Sequence, residues 1–112
     1  MVKTERDIKK IADLYVRELE KLGVSVDEIR LFGSYAKGEA RSLSDIDFIV
    51  VSSRFGQKDR LELSGVLSMA AFPLDAIIEA IGVSPEEFET APRGSFYEHI
   101  RKTGKVVYKK AA

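Results

Sequence analysis

Two acids, Asp45 and Asp47, stand two positions apart at the head of the run Ile46-Asp47-Phe48-Ile49-Val50-Val51. In a strand, residues two apart project from the same face, so this spacing presents two carboxylates side by side. Like charges that close favour protonation unless something neutralises them. A divalent cation does so. The chain has no cysteine and one histidine, and an oxygen-only ligand set suits Mg2+ or Mn2+ rather than Zn2+. Mg2+ is commonly held by one or two carboxylates together with substrate phosphates.

Gly33-Ser34, separated from Asp45 by ten residues, supplies the complementary half. A glycine at a strand-to-helix turn lets the backbone approach a ligand closely. The helix that follows aims free N–H groups and its positive end at the same place, which favours phosphate. The Ser34 hydroxyl adds a hydrogen bond, and Lys37 and Arg41, close by in sequence, add charge. A phosphate cradle beside a two-carboxylate cation site describes a pocket for a nucleoside triphosphate. Either half alone is commonplace, since Gly-Ser is usually a turn and paired acids occur on many surfaces. Their combination in the expected strand–turn–helix and strand-start contexts carries the information.

A third carboxylate is expected from a later strand. Asp75 breaks the apolar run Leu74-Asp75-Ala76-Ile77-Ile78 as Asp47 breaks its own. An acid in a buried strand is costly unless paired or metal-bound. Beside the Asp45/Asp47 strand it would help hold the cation and accept the proton of an attacking hydroxyl. Glu79, four residues on, shares its face and is the rival. The plain alternative is an edge-strand acid facing water.

The elements that must position these groups read as alternating helices and strands. Thr4 to Leu22 has apolar residues at three- and four-residue steps, with Thr4 as N-cap and Asp7 three positions on. A strand is predicted over Glu28 to Phe32, a short helix over Ser34 to Lys37 closing at Gly38, and a loop over Glu39 to Ser44. Ile46 to Val51 is apolar on both faces and reads as a central strand. A loop over Arg54 to Lys58 leads to a helix over Asp59 to Ala71. After Pro73, a third strand is placed at Leu74 to Ile81. Ser84-Pro85 and Ser95 start two short helices, and Val106 to Tyr108 forms a last edge strand. A small mixed sheet with helices packed on it follows.

Composition bounds the rest. The 112 residues, 45% of them hydrophobic, predict one domain over residues 1–112 with one core. Eighteen Lys+Arg against eighteen Asp+Glu disfavours a strongly basic nucleic-acid binder. No apolar run approaches the ~18 residues of a membrane span, and no signal-peptide stretch opens the chain. The absence of cysteine rules out a disulfide scaffold, and a cytoplasmic location is expected.

The wording Gly33-Ser34-Tyr35-Ala36-Lys37-Gly38-Glu39-Ala40-Arg41-Ser42-Leu43-Ser44-Asp45-Ile46-Asp47, with Asp75 beyond, resembles the DNA polymerase β-type nucleotidyltransferase superfamily. The short length makes it most similar to the minimal nucleotidyltransferase (MNT) branch, over about residues 29–108. The resemblance implies an α/β (α+β) nucleotidyltransferase fold with a three-stranded mixed core sheet. It implies Mg2+ on Asp45, Asp47 and Asp75, with Gly33 and Ser34 on the triphosphate. It further implies transfer of a nucleoside monophosphate, AMP from ATP, to a hydroxyl with release of pyrophosphate. MNT proteins act as antitoxins beside HEPN ribonuclease toxins and AMPylate a toxin tyrosine, which implies a HEPN partner and a homo- or hetero-oligomer here. Two other readings stand beside this one. One is a non-catalytic module that holds nucleotide or masks a toxin; the other is a small-molecule nucleotidyltransferase, against which the lack of room for a helical acceptor domain weighs.

Outside this set, His99 and the six phenylalanines read as surface or packing residues. Tyr35, directly after Ser34, is the ring expected to border the pocket. The basic residues near the C-terminus read as a solvated edge.

Overall fold

Thr4 begins the first helix by a reciprocal cap. The Asp7 N–H donates to Thr4 Oγ1 at 3.1 Å and the Thr4 N–H donates to Asp7 Oδ2 at 2.8 Å. These bonds hold the Asp7 carboxyl below the usual range. The computed structural model describes residues 2–56 and 60–111; Asp59, expected to open the third helix, and Lys58 of the preceding loop lie outside the described residues. From the cap, α1 runs Glu5–Lys21 and buries Ile8, Ala12, Tyr15, Val16 and Leu19 along one side. Then follow β1 (Glu28–Phe32), α2 (Gly33–Lys37), β2 (Ile46–Val51), a 3-10 turn (Ser53–Phe55), α3 (Arg60–Ala71), β3 (Ile78–Val83), α4 (Pro85–Glu89), α5 (Phe96–Thr103) and β4 (Lys105–Lys109).

The sheet order is β3-β2-β1-β4. β1 is antiparallel to both β2 and β4, and β2 is parallel to β3. The mixed sheet is therefore as expected, with β4 added outside β1 as a fourth strand. Side-chain alternation along β2 sends Ile46, Phe48 and Val50 into the larger core, where α1 and α3 pack. Ile49 and Val51 face the other way, into a smaller core with Val83, Phe88 and Ile100. Asp47 shares that second face, towards the strand's entry, where it is only partly buried.

One element differs from expectation. β3 begins at Ile78, not Leu74. Leaving α3, the chain stays in turns: the Phe72 N–H donates to the Met69 carbonyl at 3.3 Å and the Leu74 N–H to the Ala71 carbonyl at 3.0 Å. Pro73 between them has no N–H to give a ladder. The first bond to β2 comes from the Ile46 N–H to the Ile77 carbonyl at 2.8 Å. Asp75 consequently sits exposed in the bend before the strand. Phe72, expected to pack, is 91% exposed. Among the described residues no helix is long and apolar enough to cross a membrane.

Tyr15 ties α1 to α3. It is fully buried, its ring stacks on Phe48, and its hydroxyl donates to the Leu67 carbonyl at 2.8 Å. Burial pushes its phenol far above the ordinary range. Tyr15→Phe keeps the packing and removes the bond, so denaturant melts should show a loss of about 1 kcal/mol.

Candidate active site

The register lays the candidate residues in a row across the sheet. Asp47 on β2 lies opposite Phe32 on β1 and opposite Glu79 on β3. Gly33 follows Phe32 directly, at the first position of α2, with φ +72°. A Cβ at Gly33 would stand 2.0 Å from Asp47 Oδ2. This position thus needs glycine twice, for its left-handed backbone and for the carboxylate that occupies the space a side chain would fill. The contact joins the two halves of the motif physically. Gly33→Ala should add roughly 1–2 kcal/mol of backbone strain and push the Asp47 carboxylate aside. A misplacement of about 1 Å can lower a rate about hundredfold. The check is the rate of the nucleotidyl transfer that the resemblance implies, with circular dichroism to confirm the fold.

The electrostatics identify which acids stand together. Burial, and then the nearby Asp45 charge, raise the Asp47 carboxyl above the usual range. Glu79 is raised by a hydrogen bond with the Asp45 side chain, then by the charges of Asp45 and Asp47. Asp75 contributes to neither. It lines a separate cleft of about 270 Å³ with Lys3, Ser42, Ser44 and Ile46. The expectation that Asp75 shares a strand face with the pair is corrected: the late start of β3 puts Glu79 there instead.

None of the ion pairs among the described residues involves these acids. Among the described residues like charge is thus concentrated with no side-chain cation paired to it, and the donors are carboxylate oxygens. That chemistry fits a hard divalent cation. Among the described residues no three acidic or histidine side chains form a ready-made metal cluster. The Asp45/Asp47 pair therefore fits a cation whose remaining ligands are substrate oxygens and water.

On the other side of Asp47, α2 is a helix of five residues that no side chain caps at its start, closed by left-handed Gly38. Its dipole is small, so Ser34 and Lys37 matter more than the helix itself. Ser34 is half-buried and Lys37 exposed. Arg41 is exposed in the following loop, where its N–H donates to Ser44 Oγ at 2.7 Å. Tyr35, expected at the pocket, turns away: its hydroxyl accepts from the Lys3 N–H at 3.3 Å and its ring packs on the larger core.

A cleft of about 350 Å³ opens between α2 and α5, lined by Gly33, Lys37, Phe96, His99 and Thr103. Phe96 is 49% exposed and meets Phe32 edge-on. In sequence alone His99 and Phe96 read as ordinary surface or packing residues. The signal that could have found them is the three- and four-residue spacing of Phe96, His99, Ile100 and Thr103, which aligns them on one side of α5.

Comparison with known proteins gives a consistent picture. The profile of the nucleotidyltransferase domain matches residues 8–105. A Methanocaldococcus jannaschii protein provisionally named a protein adenylyltransferase is 31% identical over 83 residues, covering 74% of this chain and 79% of its own length. A second protein of that organism, named the same way, is 43% identical over 49 residues, and the chain spans 56% of it. Among solved structures, a protein of Sulfolobus solfataricus provisionally described as a nucleotidyltransferase superposes with a TM-score of 0.66 at 19% identity, over 95% of this chain and 84% of that one. A toxin–antitoxin structure with AMP-PNP superposes at 0.59 and 21% identity, over 86% of this chain and 72% of that one. At such identities these structures speak to the fold.

Proposed function

The chain belongs to the nucleotidyltransferase domain family, and on that premise we propose that residues 1–112 form one catalytic domain that transfers AMP from ATP to a hydroxyl of a partner protein. The observation that carries this reading is the row from Gly33 through Asp47 to Glu79, with Asp45 beside it. The acceptor we propose is a tyrosine of a HEPN-type toxin, with the chain as cytoplasmic antitoxin. Support comes from the naming of two relatives as protein adenylyltransferases and from a toxin–antitoxin pair among the structural neighbours.

In this reading Asp45 and Asp47 hold Mg2+, or Mn2+ in its place. The cation supplies charge neutralisation and alignment of the triphosphate. Gly33 gives the phosphates close access to backbone, Ser34 donates a hydrogen bond, and Lys37 and Arg41 offset negative charge. Glu79 takes over the role first expected of Asp75. Standing opposite Asp47 on β3, it accepts the acceptor's proton as the new oxygen–phosphorus bond forms and the α–β phosphoanhydride bond breaks. Pyrophosphate leaves on the Gly33–Ser34 side.

The test uses ATP labelled at either end, with divalent cation and a co-expressed HEPN partner. Label from the α-phosphate should remain on protein, and label from the γ-phosphate should leave as pyrophosphate. Release of the γ-label as inorganic phosphate would make the chain a hydrolase instead. A chain that binds ATP and transfers nothing would favour the non-catalytic module.

A further inference from the structure

The two edges of the sheet are treated unequally. β4 begins and ends in lysine, Lys105 and Lys109, a common device against unwanted strand pairing. β3 (Ile78–Val83) has none. Residues 61–83, which cover most of α3 and all of β3, hold Glu62, Asp75 and Glu79 and no Lys, Arg or His. The ladder to β2 fixes which backbone groups turn outward. The Ile46 N–H bonds the Ile77 carbonyl and the Ser52 N–H bonds the Val83 carbonyl, so odd-numbered residues of β3 turn towards β2. Ile78, Ala80 and Gly82 turn their N–H and C=O groups to the other side, where no strand among the described residues pairs with β3. Beside that edge runs a groove of about 220 Å³ between β3 and α3, lined by Phe55, Leu63, Leu67, Ala80 and Gly82. Leu61, Phe72 and Ile77 add exposed apolar surface nearby.

The direction of the chemistry points to the same edge. In-line displacement places the attacking oxygen opposite the leaving group. With pyrophosphate leaving beside Gly33 on the β1 side of Asp47, the acceptor arrives from the β3 side, past Glu79. We propose that an extended polypeptide segment adds to the open edge of β3 as a fifth strand and so delivers its hydroxyl side chain to the site. This rests on the nucleotidyltransferase reading above. Strand alternation then divides the segment's side chains between the face of Glu79 and the α3 groove. Charge complementarity selects the occupant. A nucleic acid would bring its phosphates against Glu79 and Glu62, and residues 61–83 offer no cation to meet them. A peptide with apolar residues and basic flanks matches both groove and charge.

The probe is a short peptide of alternating valine and threonine with a central tyrosine and lysine at both ends, added to the full chain. Hydrogen exchange should slow at least about tenfold at the amides of Ala80 and Gly82, and stay unchanged at Glu79 and Ile81, which already bond to β2. The same peptide with proline either side of the tyrosine should give no protection. Ala80→Pro, which removes an outward N–H and keeps the β2 ladder, should abolish the protection while leaving ATP binding intact. Equal protection by the two peptides, or none by either, overturns the proposal even if Ala80→Pro does not fold. ATP binding measured in the same preparation separates the readings: its absence sinks the proposed transfer from ATP, and its presence without edge protection sinks the docking mode alone.

Discussion

Asp47→Asn is expected to reduce nucleotidyl transfer about a thousandfold, the scale seen when a charge-stabilising group is lost from an active site. The substitution preserves shape beside Gly33, so the fold should survive. Stability should even rise slightly. Because the folded state raises the Asp47 carboxyl, the native form holds that proton more tightly than the unfolded form does. The group therefore lowers stability as pH climbs through and above the ordinary carboxylate range. At neutral pH the variant is free of that penalty, and its thermal melt should sit at or above that of the parent. A variant with full activity would remove the carboxylate pair from the mechanism.

Glu79→Gln and Asp75→Asn are expected to differ sharply. Glu79→Gln should lower the rate about hundredfold, the usual contribution of a positioned general base. Asp75→Asn should stay within about threefold, because Asp75 lies in a different cleft. The parent's rate should also fall on the acid side as the Glu79 carboxylate takes up a proton. That limb should vanish in Glu79→Gln. Paired pH–rate profiles check both statements, and the reverse ranking would restore Asp75 to the site.

Most of the fold was legible because its local signals agree with its tertiary environment. Thr4 and Asp7 make the reciprocal cap their spacing predicts. Ser84, Pro85 and Ser95 start helices where expected. The run from Ile46 to Val51 is buried on both faces, as continuous apolar strands are. The third strand was placed too early because Leu74 to Ile81 carries no periodicity to mark its start, and an apolar run alone does not reveal its register. Asp75 and Glu79 both interrupt that run, and only pairing with β2 separates them. The motif sets a phosphate cradle beside the carboxylate pair, but the Gly33–Asp47 contact depends on β1 and β2 being antiparallel neighbours in this register. Phe96 and His99 are not legible in sequence because they share a cleft with Gly33 only through the packing of α5 beside α2, and sequence distance conceals such proximity.

The row of cross-strand partners has a consequence for how faithfully the chain folds. Because side chains alternate along β2, a slip of one residue would turn Asp47 into the larger core beside Tyr15 and force Phe48 into the smaller core in the place of Ile49. A buried, unpartnered carboxylate is penalised far more than a misplaced alanine. The charges that serve the reaction thus also proofread strand assembly. Misregistered chains carry a built-in penalty, and any molecule that shows transfer has passed that check.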